Sequence, residues 1–181
     1  FTLDDVIDSI SEKLIRRHPH VFSDKKIDNS LEQSDEWERI KVSEQREINK
    51  DSSLMDNIGK NQPALNRSLK IGKKARAVGF DWLEIDGVYK KLYEELDELK
   101  AAIESTDEKE IKNELGDLFF TLVSLSRHLD VNPENALRGA NRKFIDRFKI
   151  MEHLAEGRNK TLDEMTLEEL ESLWNQAKEN I

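Results

Sequence analysis

Two apolar stripes, each flanked on the same side by a pair of carboxylates, run between Val88 and Leu129. At about 100° per residue along a helix, Val88, Leu92, Leu96, Leu99 and Ile103 fall in one line, with Glu95 and Glu98 together on its flank. Ile111, Leu115, Leu118, Leu122, Leu125 and Leu129 form the second line, where Glu114 and Asp117 take the same offset. Packed stripe to stripe, two such helices bring four carboxylates to one edge of a helical core, where their repulsion is costly unless a cation sits among them. Hard oxygen ligands in that number, with no sulfur and no imidazole, suit magnesium or manganese. Glu94 points about 100° away from Glu95, so it is placed to orient a water or to meet a second ion.

Acidic strings are common in a chain with 37% charged residues, and Glu168-Glu169-Leu170-Glu171 is another. The stretch from 94 to 117 differs in its pairing. Two equivalent acidic flanks lie on consecutive helices, and the second opens directly into Leu118, Phe119, Phe120, Leu122 and Val123. A solvated face has no need of that coincidence.

Glu94-Glu95-x-x-Glu98 followed by Glu114-x-x-Asp117, with Gly116 and Leu118-Phe119-Phe120 around it, resembles the metal motif of the MazG family of all-α nucleoside triphosphate pyrophosphohydrolases. Four further stretches resemble the family in its order: Arg16 to Phe22, Trp37 to Lys41, Val78 to Trp82 and Asn141 to Phe148. The resemblance covers essentially the whole chain. It implies an all-α helical bundle completed by dimerisation, as a homodimer or a dimer of dimers. It also implies hydrolysis of NTP or dNTP to the monophosphate and pyrophosphate, a house-cleaning or regulatory activity on the nucleotide pool.

Composition bounds the rest. A hydrophobic fraction of 36% and a mean hydropathy of −0.74 are low for a self-sufficient globule, and point to long amphipathic helices that share a core between subunits. There is no cysteine, which rules out disulfides and thiolate metals and suits a cytoplasmic setting. No apolar run approaches the roughly 20 residues that span a bilayer, so no membrane role is expected. A net charge of −9 argues against a protein that coats nucleic acid.

Thr2-Leu3-Asp4-Asp5 reads as a capped helix start that should run to Pro19. His18-Pro19-His20 lacks the i, i+4 spacing of a helical metal pair. In tandem MazG proteins this segment resembles the closing part of the first domain, whose acidic motif is absent ahead of Phe1. The expectation is therefore a truncated or processed chain, with residues 1–50 as remnant and tether, 51–62 as linker and 63–181 as the pyrophosphohydrolase domain. Ser23 to Ser34 reads as a loop and Trp37 to Ile48 as a short helix. Pro63 opens a helix, and Gly79-Phe80-Asp81-Trp82 breaks it.

Asn132-Pro133-Glu134 starts another helix, with Leu137, Ala140, Phe144, Phe148 and Met151 as its core stripe. Lys143 and Arg147 share a face off that stripe and can grip phosphate oxygens together. Such a pair is more often a solvated face, and the resemblance is what favours phosphate. It implies that Asn141, Lys143, Arg147 and Trp174 meet substrate, that Glu94, Glu95, Lys143 and Arg147 serve catalysis, and that Glu95, Glu98, Glu114 and Asp117 hold Mg2+ or Mn2+. Thr166-Leu167-Glu168-Glu169 is a capping box before a last helix carrying Leu170, Leu173, Trp174 and Ala177. No internal repeat and no glycine-rich phosphate loop is evident.

Two rival classes follow from the same residues. A di-iron carboxylate bundle needs Glu-x-x-His, and no histidine here has a glutamate three residues before it. A helical dimerisation or partner-binding module without activity of its own remains as the alternative.

Overall fold

The computed structural model describes residues 1–22, 30–48 and 53–179, and these contain no strand. Eight α-helices follow in order: α1 Leu3–Arg17, α2 Pro19–Phe22, α3 Ser30–Ile48, α4 Ala64–Ala77, α5 Ile85–Ser105, α6 Glu108–His128, α7 Pro133–Glu156 and α8 Leu167–Glu179, with a 3₁₀ turn at Leu162–Glu164 before α8. The all-α expectation holds. Among the described residues no helix is long and apolar enough to cross a membrane.

The chain divides into two compact units, residues 1–133 and 134–181. In the first, α5 and α6 form an antiparallel pair joined through Thr106 and Asp107. Thr106 adopts a left-handed φ of 56°, and the Asp107 side chain accepts hydrogen bonds from the backbone N–H groups of Lys109 and Glu110 at 2.9 and 3.2 Å. The turn thus ends one helix and caps the next within two residues. α4 packs on α6 and on α3, and α3 also meets α1.

The apolar stripes meet solvent more than their spacing predicts. Val88 is fully buried and Ala102 nearly so, but Ile103, Leu115, Leu122 and Leu129 are exposed. On α6 the buried face is Thr121, Val123, Ser124 and Arg127, because small and polar side chains let α4 approach there. Gly72 of α4 faces the Arg127 guanidinium. Arg127 is held by Asp81 through two hydrogen bonds of 2.5 and 2.6 Å, and His128 lies 3.4 Å from the same carboxylate. This cluster pins the 79–84 loop to α6. Gly79 takes a φ of +86° where α4 ends, a value that favours glycine. Trp82 packs over Gly87, where a methyl group would collide with the indole.

Lys74 of α4 is buried, and its ammonium donates to Gln45 Oε1 at 3.1 Å and to the Leu54 carbonyl at 2.7 Å. Burial pulls its pKa down, partly offset by the charge of Glu38.

The second unit is built on Met151, Ala155, Met165, Leu173 and Ala177, with Trp174 packed against them. Both threonines ahead of α8 form capping boxes, Thr161 with Glu164 and Thr166 with Glu169. Of the stripe expected on α7, only Met151 is buried; Leu137, Phe144 and Phe148 stand exposed, because the α8 core covers only the end of α7.

Candidate functional site

Glu95 and Glu98 reach from α5 and Glu114 from α6, and each offers an oxygen within 4.8 Å of the others. Glu95 is buried, Glu114 half-buried and Glu98 exposed, so the group lies at an edge of the helix pair with one side open. Oxygens sharing one magnesium at about 2.1 Å stand about 3 to 4.2 Å apart, so small side-chain rotations close the group around an ion. Burial, then the negative charges of Glu98, Asp117, Glu95 and Glu110, push the Glu114 carboxyl above its ordinary pKa. Three acidic oxygens this close, with the Glu114 carboxyl raised by its surroundings, are a fitting donor set for a divalent cation.

Asp117 stands outside that group of three. It is exposed, one turn along α6, and reaches Glu114 through its charge. Glu94 is exposed on the neighbouring face and accepts a hydrogen bond from Lys91 at 2.6 Å. The same ammonium lies 2.9 Å from Glu95. Hydrogen bonds to Glu94 and then Glu95 raise the Lys91 pKa. Lys91 is the residue that the reading of the carboxylates overlooked, although its place four residues before Glu95 is the spacing of a helical ion pair.

The C-terminal unit holds the other candidates on α7 and α8. Lys143 is exposed and forms no ion pair among the described residues, and Asn141 is exposed beside it. Arg147 is half-buried, with its guanidinium carbon 5.7 Å from the centre of the Trp174 ring. Its Nε is buried without a hydrogen-bond partner. Phe144 stacks on Phe148 at 6.2 Å and tilts against Trp174 at 5.0 Å, so Trp174 fixes the face from which Arg147 projects. His18 and His20 join no metal-binding group among the described residues; the ring Nδ1 of His18 hydrogen bonds to the Leu14 carbonyl at 2.8 Å.

An all-α fold with three carboxylates gathered across an antiparallel helix pair defines the class: a helical protein with an acidic group at one edge of its α5–α6 pair. Comparison with known proteins narrows the class. The family model for the MazG nucleotide pyrophosphohydrolase domain matches residues 1–22 and 85–151. A nucleoside triphosphate pyrophosphohydrolase/pyrophosphatase MazG of Thermotoga maritima is 48% identical over 178 residues, 98% of this chain and 66% of that protein. The nucleoside triphosphate pyrophosphohydrolase of Escherichia coli K12 is 41% identical over 98% of this chain and 68% of its own length. Protein YabN of Bacillus subtilis is 42% identical over 99% of this chain and 36% of its length. The chain belongs to the MazG family of nucleotide pyrophosphohydrolases. It spans about two thirds of the length of the first two of these relatives.

Proposed function

We propose that this chain hydrolyses nucleoside triphosphates to the monophosphate and pyrophosphate with magnesium held by Glu95, Glu98 and Glu114, and with Asp117 completing the set. The observation that carries this reading is the group of three carboxylates within 4.8 Å across α5 and α6, in a chain of this family. A bound divalent ion supplies neutralisation of phosphate oxygens and a lowered pKa for water. The protein's own side chains do the rest. Glu94, held by Lys91, orients the water that attacks the α-phosphorus and accepts its proton. The bond from that phosphorus to the bridging oxygen breaks, and pyrophosphate leaves with the bonding electrons. Lys143 and Arg147 bind the departing phosphate oxygens, with Asn141 donating beside them and Trp174 orienting the guanidinium.

Subunit association is part of the same reading. Leu3, Ile7, Ile10 and Leu14 along α1, and Leu115, Phe119 and Leu122 along α6, are exposed apolar side chains at helical spacing. A second copy of the chain is a natural cover for such faces. Light scattering should find a dimer or tetramer, and a stable, active monomer would overturn this part.

The deciding experiment is turnover of a mixture of nucleoside triphosphates in magnesium and in chelator, with products separated by anion exchange. Monophosphate and pyrophosphate appearing only with metal are the expected result. Diphosphate and free phosphate as first products would refute the mechanism, and no turnover of any triphosphate would leave the dimerisation module as the better account.

A further inference from the structure

α3 and α4 lie between the two segments that the family model matches, and a groove of about 570 Å³ runs between α3 and the C-terminal end of α4. The sequence sets its character. Arg39 and Arg46 are seven residues apart, which brings them to one face of α3, separated by about 10.5 Å along the helix axis. Val42 falls between them, three residues from one and four from the other, and is buried as the floor of the groove. Ala77 and Val78 form the facing wall, with Val78 exposed.

Both arginines are exposed and form no ion pair or hydrogen bond among the described residues. Arg16, Arg17 and Arg127, by contrast, are each held by a carboxylate. The opposite helix adds to the positive charge. α4 carries Arg67, Lys70, Lys73, Lys74 and Arg76 and no acid, and the cations of its last turn, Lys74 and Arg76, answer the partial negative charge of its free carbonyls. Glu47 is the one acid lining the groove among the described residues. Two guanidinium groups over an apolar floor thus dominate this face, in a chain whose net charge is −9.

We infer that the groove between α3 and α4 is a docking surface for an acidic amphipathic helix of a partner protein. A helix with two acidic residues seven apart and a leucine between them repeats the spacing of the groove and its order of charge and apolar surface. Each carboxylate then meets one guanidinium through paired N–H donors, and the leucine covers Val42 and Val78. A free phosphate or carboxylate would satisfy the arginines and leave the apolar floor open to water. The net charge of the chain repels an acidic partner at long range, so association depends on this face and weakens as salt rises. The inference makes no use of the carboxylates on α5 and α6, and stands or falls apart from the reaction proposed above.

The test is fluorescence anisotropy of the whole chain with a labelled helical peptide that bears two glutamates seven residues apart and a leucine midway. Saturable binding is expected, weaker by about tenfold or more in Arg39→Ala and in Arg46→Ala, the effect of losing one charge-assisted contact. Val78→Asp should weaken it as well. Arg39→Glu should reject this peptide and accept one in which a single glutamate is replaced by lysine, an exchange that loss of fold cannot produce. Turnover of nucleoside triphosphates should stay at the parent's rate in Arg39→Ala and Arg46→Ala. Equal binding by the parent and both alanine variants would overturn the inference, as would equal binding of a scrambled peptide of the same composition. Displacement of the peptide by an equal concentration of pyrophosphate would make the groove a small-anion site, and displacement by a single-stranded oligonucleotide would assign it to nucleic acid; either result overturns a helix-docking surface. A lower solution mass in Arg39→Glu would show a second copy of this chain in the groove and overturn the separate partner.

Discussion

The Lys91 ammonium lies 2.9 Å from the carboxylate of Glu95, the one buried member of the acidic group. One helical turn separates them, so α5 supplies the group with an internal counter-charge. Lys91→Ala leaves Glu95 buried without that partner and should lower stability in chelator by about 1–3 kcal/mol. Magnesium should then raise the melting temperature more in the variant than in the parent. Equal increments would mean that Glu95 does not meet the ion.

Removing negative charge from the two members that are not fully buried should have the opposite effect. Glu114 is pushed toward its neutral form by burial and by its acidic neighbours. Glu98→Gln and Glu114→Gln should therefore melt in chelator no lower than the parent, while losing turnover and the magnesium response. For the parent, metal at about 100 times its dissociation constant adds roughly 2.7 kcal/mol. Variants that melt lower in chelator would identify a structural network instead of a metal centre.

Lys143→Ala and Arg147→Ala should slow turnover by about 10²-fold, the usual order for one electrostatic contact to developing charge, with metal affinity retained. Arg147→Lys should rescue little, because an ammonium reproduces neither the planar guanidinium held over the Trp174 ring nor the donor at Nε. Loss of metal binding with normal kinetics at saturating metal would refute both assignments.

Asp81 gives a pH-dependent test of the fold. Burial alone raises its carboxyl pKa, but the Arg127 hydrogen bonds together with the charges of Arg127 and His128 outweigh this and hold it below its ordinary value. The stability it contributes is thus complete above the ordinary aspartate range and is lost as pH falls through the lowered value. Asp81→Asn should cost about 3 kcal/mol at neutral pH by leaving Arg127 buried and unpaired. Denaturant midpoints of parent and variant should converge below about pH 4. A constant difference down to pH 2 would show that the ion pair is not what Asp81 contributes.

The helices, and their caps above all, were legible because they depend on neighbours within one turn. Thr2 with Asp5 and Thr166 with Glu169 form the boxes their spacing predicts, and Glu95, Glu98 and Glu114 gather as their shared flank requires. Pro63 serves as the N-cap of α4, one residue before the position expected. α3 begins at Ser30, inside the stretch read as loop, because polar residues with little apolar periodicity carry no signal that separates an exposed helix from a loop. The Asp81–Arg127 pair joins residues 46 apart, and no local pattern announces it. The expected boundary at residues 51–62 falls partly on 51 and 52, which lie outside the described residues.

The two-residue connection between α5 and α6 sets more than the direction of the chain. With Thr106 at a φ of 56° and Asp107 capping α6, it fixes the rotational phase of one helix against the other, and so decides whether Glu114 faces Glu98. One residue added inside α6, between the turn and Glu114, would rotate that carboxylate by about 100° while leaving most of the apolar contacts to be re-formed. Helical content would survive and the gathering of the three carboxylates would not. The hairpin therefore works as a gauge, in which the chemistry tolerates far smaller changes of length than the fold does.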